Sequence, residues 1–309
     1  MKHAILLSLI CGASVWAQIA PPMIGYVPDG ARIRPMYGMA SAGAIGNAMD
    51  AGRDFAKIAI SPKQDFALAT AADTGEMLVV RPGVKFSTID GTGVNPEKMA
   101  LSARGTAAVL WFAAVSRLQI VTGLPDAPSV RNVDASFVSG SPVAMAVSDD
   151  GQWSAGIWAS GATAFGPSGE VIPLQTDAGI VAISFLHNRH DLALANGSRV
   201  SLISDVGGST QPSVIADYSA QPLQAVGLAV SFDNARAVIA DAGGSIVTVN
   251  LADGSMSSVD CGCAPDGVFG LGGALFRLNG ASGELKVFDA SAGAVFIVPP
   301  ALAQNGGQQ

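Results

Sequence analysis

Two residue pairs in this chain have the donors for metal or redox chemistry: Cys261-Gly262-Cys263 and His187-x-x-His190. A zinc site needs about four Cys or His ligands at matched spacing. The histidines belong to FLHNRHD, a turn between two apolar runs, and the cysteines follow a separate run, SMSSVD (255–260). In the repeat described below, those two loops fall on opposite faces. A shared metal is therefore not expected, and no metal or other cofactor is assigned. For the cysteines alone, three readings stay open. A local or intermolecular disulfide suits an oxidising compartment, where exposed thiols rarely stay free. Buried structural thiols are the second. The third is an easily reduced redox pair, because a bridge across one residue closes a very small, strained ring.

Five serines invite a nucleophile reading: Ser61, Ser102, Ser148, Ser184 and Ser231. No Gly-x-Ser-x-Gly elbow with a histidine partner accompanies them. They recur at spacings of 41, 46, 36 and 47 residues, a regularity that catalysis does not need. A strand-end hydroxyl bonding the backbone of its own turn explains the recurrence. The glycine-rich stretches DAGGS (241–245) and FGLGGALF (269–276) open no helix, so phosphate cradling lacks its context. No catalytic residue is assigned.

The serines mark a repeating phrase: an apolar run, a polar turn, a second apolar run. It reads KIAISPKQDFALA (57–69), MALSARGTAAVLWFA (99–113), MAVSDDGQWSAGIWA (145–159), VAISFLHNRHDLALA (181–195) and LAVSFDNARAVIA (228–240). Small-residue turns such as ANGS (195–198) and DAGGS follow, then alternating runs such as RVSLI (199–203) and SIVTV (245–249). Glycine and Asn/Asp supply the positive φ of tight hairpins, and the runs between them read as strands. Pro96, Pro142 and Pro265 precede the first strand of their units, where a missing N–H costs no ladder bond. Four short strands in each unit of about 40–45 residues is the pattern of a β-propeller. Six units fit, at 54–90, 97–135, 142–174, 179–216, 223–260 and 266–299. Ahead of them, MIGYVPDG-ARIRPMYG (23–38) reads as a hairpin that completes or adds a blade. The fold class is all-β, a propeller of six or seven four-stranded blades.

The phrases ISPKQDFAL and VSDDGQWSA resemble the bacterial YVTN/WD40-like propeller superfamily over most of 54–299, without a Trp-Asp dipeptide. That resemblance implies a propeller used as a binding platform, an assembly factor or, in some members, an enzyme. Fold alone selects none of these.

In such a ring the first strand of each blade lines the central channel. Here those strands are AKIAI (56–60), KMAL (98–101), VAMAV (143–147), VAIS (181–184), VGLAV (226–230) and VFGL (268–271). They are aliphatic, as blade-to-blade packing requires, and only Lys57, Glu97 and Lys98 bring charge. These three are the candidate ligand-contacting residues. Trp158, if it opens its turn, is a candidate partner anchor; otherwise it fills the core. Hydrophobic residues make up 49% of the chain and charged residues 13%, which supports a large core. A formal charge of −7 argues against nucleic acid and anionic membranes as partners.

Residues 1–17 read as a signal peptide. Lys2 supplies the charge, Ala4–Cys11 the apolar stretch, and Val15-Trp16-Ala17 a small-x-small cleavage site before Gln18. Residues 18–53 are then N-terminal strands and lead-in, 54–300 the repeats, and 301–309 a flexible tail. The mature chain inserts in no membrane and is exported to the periplasm or medium. The expected function is a non-catalytic binding or scaffold module with an unknown protein partner. The alternatives are a lactonase-type propeller hydrolase and a redox-sensitive assembly component.

Overall fold

The computed structural model describes residues 22–39, 41–83, 86–174, 179–281 and 283–300. The expected signal peptide at 1–17 and the expected tail at 301–309 lie outside the described residues. Among the described residues there is no α-helix, and one 3-10 turn, Ala113–Val115, interrupts the strands.

The strands form seven antiparallel sheets in chain order. Blade 1 holds Met23–Asp29, Arg32–Met39 and Ala42–Ile45. Blades 2 to 7 have four strands each, over 55–88, 98–134, 144–173, 182–217, 225–260 and 269–298. The blade number is therefore seven. The N-terminal hairpin adds a blade, and Ala42–Ile45 supplies a third strand that the sequence reading did not assign.

The second strands show why a blade cannot stand alone. Ala67–Ala71, Ala107–Phe112, Ser154–Trp158 and Leu192–Ala195 are buried at every position. Successive side chains of a strand point to opposite faces. A strand covered on one face alternates apolar and polar, whereas one covered on both reads as a continuous apolar run. Each interface between adjacent blades has its own apolar cluster, and there are seven such clusters. The seventh joins Val27, Met36 and Ile45 of blade 1 to Leu285, Val287 and Val298 of blade 7, which closes the ring. Ile45 N–H also donates to Pro299 O at 3.0 Å, and Ile45 pairs with Pro300 in a parallel bridge.

The turns after the inner strands share one geometry. The N–H of Ser61, Ser102, Ser148 and Ser231 donates to the carbonyl five residues later. The serine hydroxyls accept local N–H groups: Ser102 Oγ from Thr106 and Ala107, Ser148 Oγ from Trp153, Ser231 Oγ from Arg236. Ser184 is the exception. It lies inside its strand, and Leu186 takes the turn position by donating to Asp191 O. The turns also bond to one another. Asp149 accepts Arg104 N–H from blade 3 through Oδ1 and Asn188 N–H from blade 5 through Oδ2, each at 2.7 Å. Asn234 Oδ1 accepts His187 N–H at 2.8 Å and its Nδ2 donates to His187 O at 3.0 Å. Gln64 accepts Tyr26 N–H and donates to Gly270 O, linking blades 1, 2 and 7.

Two measurements check this account. Asp149→Ala strands two backbone donors and should lower stability by about 1–2 kcal/mol in a denaturant titration. An unchanged midpoint would remove Asp149 as an inter-blade tie. A chain ending at Val298 should melt about 2–4 °C below one ending at Pro300, as the loss of about one hydrogen bond's worth of stability predicts.

Candidate functional site

The inner strands Phe55–Ile60, Lys98–Leu101, Ala144–Val147, Ala182–Phe185, Ala225–Val230 and Phe269–Gly270 surround a central cavity of about 830 Å³. Each inner strand is bonded to its sheet along one edge only, so its other edge turns unpaired N–H and C=O groups to the channel. The aliphatic side chains go elsewhere. Met145 and Val147 pack with Trp111 and Leu118 of blade 3, whereas Ala146 packs with Ile183 and Leu192 of blade 5. Leu228 and Val230 face blade 5, and Ala229 faces blade 7. An aliphatic strand sequence thus borders a channel whose wall is partly peptide backbone.

At the mouth where the inner strands begin, the structure brings Lys57, Glu97 and Lys98 together. Lys57 Nζ donates to Pro96 O and Glu97 O, both at 2.6 Å. Lys98 Nζ donates to Val143 O at 3.2 Å, and Ser141 Oγ donates to Glu97 Oε1. The ammonium groups therefore strut blade 2 to blade 3 and blade 3 to blade 4. Val143, Val226 and Phe269, exposed at 55%, 40% and 41%, add apolar surface to the same rim.

Trp158 does not join them. It is 2% exposed and packs edge-on against Trp111 at 5.9 Å and Phe165 at 5.8 Å. Its strand is covered by a neighbouring blade on each face, so the ring fills the core and anchors nothing outside.

The mouth also holds Arg277, which sequence reasoning missed. Arg277 ends a second strand, and the register pairs it with Phe269 at the start of the inner strand. Its Cζ lies 3.9 Å from the Phe269 ring centroid, and Nη1 donates to Asn279 O at 2.7 Å. The residue is 6% exposed, and burial pulls its pKa down to about 10 against the opposing charge of Asp266. The signal available in the sequence was the single charge interrupting the apolar run ALFRL (274–278).

At the opposite mouth stands His187, from the turn FLHNRHD. It is buried beside Phe232, with ring centroids 5.1 Å apart, and Arg104 Cζ lies 5.3 Å from the same phenyl ring. Nε2 is 3.3 Å from Val230 O, and Nδ1 has no hydrogen-bond partner among the described residues. Burial holds the His187 pKa below the ordinary imidazole value. His190 points elsewhere, with Nε2 2.9 Å from Asp150 Oδ2. Among the described residues, no group of three or more His, Cys, Asp or Glu side chains is placed to hold a metal. Cys261 and Cys263 are disulfide-bonded to each other, with Cys261 buried at the interface of blades 6 and 7.

Two outcomes follow. Reducing the unfolded protein should raise its intact mass by two hydrogens, and a mass unchanged by reductant would contradict the bridge. Because the folded His187 pKa lies below the unfolded one, the unfolded chain binds the proton first as pH falls. The stability is present above about pH 6.5 and is lost as pH drops through the folded value. Wild-type Tm should fall more steeply than that of His187→Gln between about pH 6.5 and pH 5. Parallel curves would contradict this.

No protein-family model and no curated protein matches the chain. Among the solved structures that match the chain are the following two. A functionally unknown protein from Desulfotomaculum acetoxidans aligns with a TM-score of 0.60 at 15% identity, over 90% of this chain and 99% of that one. The Kuenenia stuttgartiensis hydrazine synthase aligns with a TM-score of 0.52 at 12% identity, over 94% of this chain and 99% of that one. At such identities the likeness is one of fold: this chain is a seven-bladed β-propeller.

Proposed function

We propose that this protein is an exported, non-catalytic binding module that recognises a protein partner at the mouth where the inner strands begin. The observation that carries the reading is the composition of that rim. Exposed Val143, Val226 and Phe269 stand beside the polar struts of Lys57, Glu97 and Lys98. Apolar contact residues beside polar ones are what a recognition surface presents. Export is supported by the charge, apolar stretch and small-x-small site of residues 1–17. The turn phrases ISPKQDFAL and VSDDGQWSA support placing the chain in the YVTN/WD40-like superfamily.

A lactonase-type hydrolase is the second reading. It is favoured by one observation: Glu97, Asp266 and Arg277 all line the channel on that side. Turnover of simple lactones, abolished by Asp266→Asn, would select it over the binding module.

The binding reading is tested with immobilised mature protein and with a Val143→Asp/Val226→Asp variant of matched Tm. A specific extracytoplasmic protein should be retained by the wild type and lost by the variant. Retention of the same proteins by both would sink the rim as the site. Secreted material should begin at Gln18; an intact Met1 would sink export.

A further inference from the structure

The channel contains a cation that the protein itself leaves poorly compensated. Arg277 is more than nine-tenths buried, yet among the described residues it has no carboxylate within the 4.0 Å of an ion pair. Its neighbours fix it without neutralising it: the Phe269 ring covers one face of the guanidinium, and Asn279 O takes Nη1. Nε and Nη2 reach no acceptor among the described residues. Asp266 lines the same cavity outside ion-pair range. Taking a charge out of water without a close partner is costly, and removing one member of a buried pair shows how large that cost becomes. A structure that keeps such a group in a cavity wall has a use for an anion there.

The rest of the wall points the same way. The charged residues lining the cavity are Lys57, Lys63, Lys98 and Arg277 against Glu97 and Asp266, a cationic excess in a chain of net charge −7. The cavity volume of about 830 Å³ falls in the range of small-molecule sites, roughly 300–1,000 Å³. The planar guanidinium fork matches a carboxylate through two parallel N–H···O bonds, which a lysine cannot make. The unpaired edges of the inner strands offer further donors and acceptors.

We propose that the central channel binds a small carboxylate-bearing molecule, with Arg277, seated on Phe269, as the group that grips the carboxylate. The proposal rests on the reading of this mouth as a binding site and assigns it a ligand chemistry.

The test is calorimetric titration of the mature protein with succinate, citrate, inorganic phosphate and sodium chloride at constant ionic strength. Succinate or citrate should bind with one-to-one stoichiometry, and chloride should give no saturable signal. Arg277→Gln should weaken that binding by about tenfold or more, and Arg277→Lys should restore only part of it. Should Arg277→Gln fail to fold, Phe269→Leu serves instead. It changes an exposed rim residue and should weaken binding several-fold at unchanged Tm. The proposal is overturned if neither carboxylate binds the wild type at millimolar concentration, if phosphate binds as tightly as succinate, or if Phe269→Leu binds like the wild type. Partner retention by Arg277→Gln or Arg277→Lys, with loss in Val143→Asp/Val226→Asp, would separate failure of this proposal from failure of the rim reading.

Discussion

The structure depends on one constraint: the middle strands of every blade must be covered on both faces. A four-stranded antiparallel sheet with two apolar faces is unstable in water, because each face exposes a large hydrophobic area. Each blade solves this by pressing one face on the blade before it and the other on the blade after it. The first blade has no blade before it along the chain and the last has none after it, so each covers the remaining face of the other. Val27, Met36 and Ile45 meet Leu285, Val287 and Val298 for that reason, and the Ile45–Pro299 hydrogen bond fixes their alignment.

That constraint also decides where chemistry can reside. Positions along the middle strands are committed to packing, as the buried Trp111–Trp158–Phe165 group shows. The inner strands give their side chains to the two adjacent interfaces and their free backbone edge to the channel. Only the strand ends escape both demands. Glu97 and Lys98 stand at such an end, Lys57 beside the bulge that follows Phe55, and Phe269 and Arg277 at the ends of their strands. The turns at the other ends serve cohesion instead. Asp149, Asn234 and Gln64 tie neighbouring turns together, and His187 is buried among them. The channel thus has one mouth stitched by turn-to-turn hydrogen bonds and another where charged and exposed apolar side chains gather.

The repeat was legible because hairpin turns need particular residues and because strands sandwiched on both faces carry continuous apolar runs. Six blades lie close to the units read from the serine phrase. Where the phrase degenerated, the reading slipped. Ser184 looked like its counterparts, but the turn of blade 5 begins at Leu186, two residues later, because VAISFLHN extends the inner strand through Phe185. The short strand Ala42–Ile45 carries little apolar signal and is held by pairing with its neighbour, so it was missed. At the site, Lys57, Glu97 and Lys98 were visible as charges in aliphatic strands. Arg277 was hidden because it belongs to a second strand, and only the cross-strand register with Phe269 brings it to the mouth. For Trp158 the sequence leaves two readings open, because an aromatic beside a turn reads alike whether its strand is an edge or an interior one, and its burial selects core filling.

Native-state hydrogen exchange is the most direct test of interdependent blades, because it reads the opening free energy of each middle strand separately. Amides of Arg32–Met39, Leu192–Ala195 and Leu285–Asp289 sample blades 1, 5 and 7. If the ring stands or falls as a closed circuit, all three should exchange through one global opening with the same denaturant dependence. Separate, lower-energy openings confined to blades 1 and 7 would show that the ring is not closed by mutual cover, and the account would fail.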